Sequence, residues 1–291
     1  MKNLKYTFLL LLPGLLFGSC HKEKLNPDSV ITVNTSDTEF DKWIRDNYTN
    51  PYNISIKYTW QDIEANTGHY LDPADIEKCK PLAKVIQYIW LETFNEVMGV
   101  DFLREHSPKV ILMVGSWAYN TNNTYTLGSA ESGMKITLYG VNELDFANIS
   151  GSMTSIERYM KTIIHEFCHI LHQKKMFDPE FERISSADYV EDNWSADVNS
   201  EANAYALGFI SRYGRKNQFE DFVELLSHFI VYGQEYMDDI STKAGADGAA
   251  KLKQKFDIAT SYLTNSWRLD IYELRRVFDR RLNSVENIDL K

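Results

Sequence analysis

The residues with the most chemistry to offer are His165-Glu166-Phe167-Cys168-His169. On a helix, residues four apart share one face, with Cβ atoms about 5–6 Å apart. Two imidazoles at that spacing reach one ion. The glutamate beside the first is placed to hold a water on that ion and take its proton. The pattern predicts metal-assisted hydrolysis on Zn2+, with His165 and His169 as ligands and Glu166 as general base. His172 lies on the same face at i+7, but seven helical residues rise about 10.5 Å. One ion cannot touch both ends of that span at bonds of about 2.0–2.1 Å. His172 therefore reads as a residue behind the ligands or lining the cleft.

A third ligand must come from downstream, and two acidic residues on apparent helices are candidates. Glu201 lies in Ser200-Glu201-Ala202-Asn203-Ala204, and Glu220 in Phe219-Glu220-Asp221-Phe222-Val223-Glu224. The second segment places Glu220 and Glu224 on one face among Phe222, Val223, Leu225 and Leu226. Unpaired carboxylates are costly in such a setting. A zinc ion for one and a ligand histidine for the other would satisfy both. This favours Glu220, with Glu201 left open.

The elements that must position these residues are legible from periodicity. Thr154 and Glu157 have the spacing of a capping box. Behind them Ile156, Met160, Ile163, Ile164, Phe167, Ile170 and Leu171 follow helical spacing. Upstream, residues 38–47 read as a short helix and 53–60 as a strand. A long helix follows over 73–97, with Leu82, Val85, Ile86, Ile89 and Trp90 on one stripe. Residues 109–114 and 134–139 read as strands, and 115–133 as a loop rich in Asn, Thr, Ser and Gly. Residues 134–139 are expected at the sheet edge, where an extended substrate could pair. Most of the chain after Ser152 reads helical. The last 50 residues look like amphipathic helices, with Arg275, Arg276, Arg280 and Arg281 on a solvated face. Strands and helices mixed first, then helices alone, predict an α+β fold, with residues 38–150 as an N-terminal α/β part and 151–291 as a helical part carrying the site.

The chain has 291 residues, 44% hydrophobic and 25% charged, an ordinary globular balance that excludes disorder along its whole length. Its formal charge is −10 and it has no block of five or six basic residues, which argues against nucleic acid as a partner. Three cysteines are too few for a disulfide scaffold. Cys79 and Cys168 are expected as buried free thiols.

Residues 1–19 have the layout of a secretory signal: Lys2 and Lys5, then an apolar run too short to span a bilayer, then Gly18-Ser19-Cys20. Small residues before a cysteine resemble the lipobox of bacterial lipoproteins, which implies cleavage before Cys20 and its lipidation. Residues 20–37 then form a polar tether. Loss of the signal removes two lysines and no acid, so the mature charge is −12.

Two wider resemblances follow. The stretch Tyr213-Gly214-Arg215-Lys216-Asn217-Gln218-Phe219-Glu220, ending in Asp221-Phe222-Val223-Glu224, resembles a segment of the anthrax-lethal-factor type of zinc metallopeptidase. That resemblance implies a zincin-like domain and a gluzincin-like ligand set, with a small mixed sheet packed on the active-site helix. It also implies Glu220 as third ligand, Tyr213 as the hydroxyl that stabilises an oxyanion or protonates the leaving amine, and Glu224 behind a ligand. The second covers nearly the whole chain. The lipobox, Trp43-Ile44, Pro51-Tyr52-Asn53-Ile54, Pro108-Lys109-Val110, Gly115-Ser116, Lys135-Ile136-Thr137-Leu138-Tyr139 and His165 to Gln173 resemble the substrate-import-associated zinc metallohydrolase lipoproteins of Bacteroidetes-type bacteria. This implies a peptide or protein substrate, a lipid anchor in the outer membrane on its periplasmic or outer face, and partnership with a TonB-dependent importer and its binding lipoprotein. The alternative from another class is a non-catalytic substrate-binding lipoprotein on the same scaffold, which would have no need of Glu166.

Overall fold

A four-stranded sheet packs against the N-terminal half of the helix that carries the two histidines. In the computed structural model, which describes residues 37–60, 68–120, 125–126, 128–131 and 134–290, the strands are β1 (Ser55–Lys57), β2 (Val110–Met113), β5 (Gly128–Glu131) and β6 (Lys135–Leu138). Their spatial order is β1-β2-β6-β5. β1, β2 and β6 run parallel, with Ile56, Ile111 and Ile136 in register, and β5 closes the sheet antiparallel to β6. A separate hairpin pairs β3 (Ala118–Tyr119) with β4 (Tyr125–Thr126). Cys20, the signal and the tether up to residue 36 lie outside the described residues.

β6 is therefore internal, which corrects the expectation for residues 134–139. Lys-Ile-Thr-Leu buries three of its four positions, as a strand flanked on both sides does. The edge strand on that side is β5, hidden from sequence reading because Gly-Ser-Ala-Glu are weak strand formers. Gly128 is needed there, since a Cβ at that position would stand 2.3 Å from Thr162 Cγ2.

The helices are α1 (Glu39–Ile44), α2 (Ile76–Ile86, continued through Gln87–Leu91 and Glu92–Met98), α3 (Val100–His106), α4 (Met153–Lys174), α5 (Glu180–Ile184), α6 (Glu201–Ala206), α7 (Gln218–Tyr262) and α8 (Ile271–Leu282). α4 starts earlier than a Thr154 cap would have it. Ser152 takes the N-cap position without a side-chain cap, and its hydroxyl donates instead to the Asp145 carbonyl at 2.5 Å. The apolar stripe of α4 is buried as the periodicity requires. Phe167 meets Trp90 and Phe94 edge-on, with ring centroids 5.5 and 5.1 Å apart.

α7 is interrupted at Gly233 and Gly245, both at positive φ. Arg275 of α8 donates to the carbonyls of Ile230 and Val231 just before the first break, and so satisfies groups that the interrupted ladder leaves open. Arg281 pairs with Glu92 and Glu96. Arg275 and Arg281 thus tie elements together, correcting the reading of that arginine set as a solvated face. Thr38–Lys291 form one compact unit, and a single hydrophobic cluster from Phe40 to Val285 crosses residue 150. Cys79 and Cys168 are buried free thiols.

Candidate metal centre

α4 presents His165 and His169 one turn apart, and the first turn of α7 brings Glu220 to them. His165 Nε2, His169 Nε2 and Glu220 Oε2 form a triangle with all three sides 3.2 Å. Ligands about 2.0–2.1 Å from a tetrahedral zinc would stand about 3.3–3.4 Å apart. The triangle has the size of one face of that tetrahedron, and its nitrogen and oxygen donors are the types zinc prefers. These three residues are the metal-type cluster found among the described residues. Glu201 is elsewhere: its Oε2 accepts from the Arg212 backbone N–H at 2.9 Å.

Each histidine of the cluster is held from behind. His165 Nδ1 lies 2.8 Å from Glu224 Oε1. Glu224 is 1% exposed, accepts from Ser211 Oγ at 2.6 Å, and receives the Lys161 ammonium on Oε1. His169 Nδ1 lies 2.9 Å from His172 Nε2. His172 is stacked on Phe219, with ring centroids 5.3 Å apart. Burial, reinforced by His169, takes His172 down to about 4, so its neutral ring can accept from His169. One histidine thus leans on a carboxylate and the other on a neutral imidazole.

Electrostatics show what the cluster needs. Burial works to push His165 down, but the Glu220 and Glu224 carboxylates outweigh it and raise it to about 9. Burial works to raise Glu220, but its hydrogen bonds to His165 and His169 hold it well below the usual carboxylate range. Without a metal, a proton on His165 supplies the positive charge that Glu220 requires.

Local sequence explains why these groups meet. Asn217 caps α7, accepting from the N–H groups of Phe219 and Glu220 at 2.9 and 3.0 Å. The tight turn Tyr213–Lys216 precedes it. Arg215 pins this turn through Asn199, Asn203 and the Asp188 carbonyl. The Ser211 hydroxyl, which donates to Glu224, also accepts from Gly214 N–H at 3.2 Å. Tyr213 is thereby set beside His165, with ring centroids 6.0 Å apart. Burial, then the nearby Glu220 and Glu224 carboxylates, push its phenol far above the usual value, so it keeps its proton.

Glu166 and Tyr213 line a cavity of about 240 Å3 together with Lys161, Thr162, Trp194 and Tyr125. The sequence pattern alone does not mark Lys161, Ser211, Trp194 or His228 (Nδ1 2.8 Å from the Glu224 carbonyl) as site residues. Trp194 forms a cavity wall, edge-on to Tyr213 at 4.8 Å. Lys161 alone carried a usable signal, one turn before His165 on the same face.

A helix-borne His2Glu cluster beside a sheet edge, with a glutamate and a tyrosine facing a common cavity, is the arrangement of a metal-dependent hydrolase. Residues 33–272 match the model of a family described as "Putative zinc-binding metallo-peptidase", and the chain belongs to that zinc metallopeptidase family. It is similar to a crystal structure from Bacteroides caccae that carries the same description, at 38% identity and TM-score 0.72, covering 86% of this chain and 94% of that one. No curated protein matches the chain.

Proposed function

We propose that the chain is an H-E-x-x-H zinc peptidase of gluzincin-like type, with His165, His169 and Glu220 as ligands. The observation that carries this reading is the 3.2 Å triangle of donor atoms beside a cavity lined by Glu166 and Tyr213. Zinc in that position supplies a Lewis acid that polarises a carbonyl and lowers the pKa of a water towards about 7. Glu166 takes the proton of the attacking water and delivers it to the leaving nitrogen. Tyr213, held protonated, donates a hydrogen bond to the carbonyl oxygen as charge builds there. Glu224 and His172 fix the orientation of His165 and His169. Gly128 brings the edge strand β5 to the cavity, where an extended peptide can add as a further strand. A lipid on Cys20 tethers this domain to the outer membrane, and cleavage there serves a TonB-dependent importer and its binding lipoprotein.

The test uses the soluble chain from His21, prepared without chelator. Mass spectrometry should find about one zinc per chain, and reduced casein should be cut. Glu166→Gln should keep the zinc and lose on the order of 10^2–10^4-fold in turnover. Wild-type turnover by that variant would overturn the mechanism, and absence of zinc would overturn the enzyme reading.

A further inference from the structure

We propose that Lys161 binds substrate: its ammonium donates to a backbone carbonyl oxygen of a peptide lying in the cleft beside Glu166. This rests on the zinc-peptidase reading above. Lys161 sits one turn before His165 on the same face of α4 and lines the cavity shared by Glu166 and Tyr213. Its side chain is 21% exposed. An ammonium carries three N–H donors and no acceptor. Among the described residues its hydrogen-bond partner is Glu224, which leaves two donors for the cavity. Among the described residues lining that cavity Lys161 is the one lysine or arginine. Glu224 already balances its charge, which favours a neutral amide oxygen over a carboxylate. Gly128 of β5 lines the same cavity. An extended peptide paired with that strand leaves every second carbonyl without a partner from it, and Lys161 supplies a donor for one.

The competing role is purely internal, as counter-charge for Glu224. A double-mutant cycle separates the two. Wild type, Lys161→Met, Glu224→Gln and the double variant are each loaded with saturating zinc. The double variant removes both buried charges together and keeps the test open if Lys161→Met alone fails to fold. Each protein is titrated calorimetrically with acetohydroxamate, which offers the metal a chelating group alone. Each is also titrated with two hydroxamates extended by two amino-acid residues, one on each side of that group. The one extended on the amine side is made both as a C-terminal amide and as a free acid.

The expected result is a dissociation constant about tenfold weaker for an extended hydroxamate on Lys161→Met, the size of a lost hydrogen bond to a charged group. The same loss should appear when Lys161→Met is added to Glu224→Gln. Acetohydroxamate should be unaffected, amide and acid should behave alike, and Lys161→Arg should restore most of the affinity. The proposal fails if the loss vanishes in the Glu224→Gln background, if acetohydroxamate weakens equally, if no extended compound weakens, or if only the free acid does. Wild-type protein that binds none of these compounds would overturn the zinc reading itself, and this inference with it.

Discussion

Glu220 and Asp221 are neighbours on the first turn of α7, yet the chain treats their charges in opposite ways. Asp221 is 1% exposed and meets Lys255 Nζ at 2.7 Å, with the Tyr189 hydroxyl donating to it at 3.0 Å. Lys255 is itself fully buried, donates to the Gly208 carbonyl at 2.8 Å, and lies over the Phe209 ring at 3.7 Å. Every charge there has an internal answer. Glu220 meets two imidazoles that are neutral when they serve as ligands. Its nearest lysine, Lys216, stands 3.6 Å away with a third of its side chain exposed. A buried carboxylate needs a cation. At Asp221 the chain provides one and seals the site. At Glu220 it sets two imidazole nitrogens and a part-exposed lysine, and on the proposed reading the cation comes from outside.

The largest effect that could break this comparison is on the metal. Glu220→Ala should weaken zinc binding on the order of a thousandfold, roughly one ligand's share of the binding energy of a structural-type zinc site. The metal-free fold should survive, because the Glu220 side chain is not part of the core. Zinc content after dialysis and the melting temperature of the metal-free protein check both halves. Full metal affinity in this variant would remove Glu220 from the ligand set.

Asp221→Asn should do the reverse. It leaves Lys255 as an unanswered buried charge and should cost about 3–5 kcal/mol of stability, read by denaturant unfolding. Zinc stoichiometry in the folded fraction should stay at one. Adding Lys255→Met should recover part of the loss, because the second charge then goes too. If Asp221→Asn loses zinc while keeping its stability, the two sites are not separate in function.

The difference between these acids also sets what sequence could reveal. The histidines, Glu166 and Glu220 were legible because helical period fixes which side chains share a face, and because paired acids amid Phe and Val demand an explanation. The sheet was half legible: β2 and β6 are apolar runs, whereas β5 is Gly-Ser-Ala-Glu, a strand formed because β6 offers it an edge and Gly128 lets it pass Thr162. Lys255 lies in the stretch read only as amphipathic helices, and nothing in that pattern marks it for burial. Its burial depends on residues 34 to 66 positions away, Asp221 and Tyr189, and local pattern carries no trace of such a contact. Ser211 and Trp194 were unreadable for the same reason. The break in α7 at Gly233 follows from that glycine, but glycine inside a helical pattern has several meanings, and packing against Arg275 selects this one there.

The finest distinction between the two sites is their response to pH. In the metal-free chain His165 is raised to about 9 by its carboxylate neighbours, against about 6.5 when unfolded. The stabilisation from that proton is complete below about 6.5 and is lost as pH rises through about 9. Zinc requires the imidazole without its proton, so its affinity should gain roughly tenfold per pH unit across this window and then level off. The metal-free protein should thus lose stability with rising pH over the range in which added zinc stabilises it more. Competition against a chelator of known protonation behaviour, measured from pH 6.5 to 9.5, gives the slope. Asp221→Asn should leave that slope unchanged even where it lowers the melting temperature, since its partners Lys255 and Tyr189 stand outside the His165, His169 and Glu220 cluster. A flat profile in the wild type would mean that no proton is displaced from His165, and the view of that proton as the stand-in for the missing cation would fall.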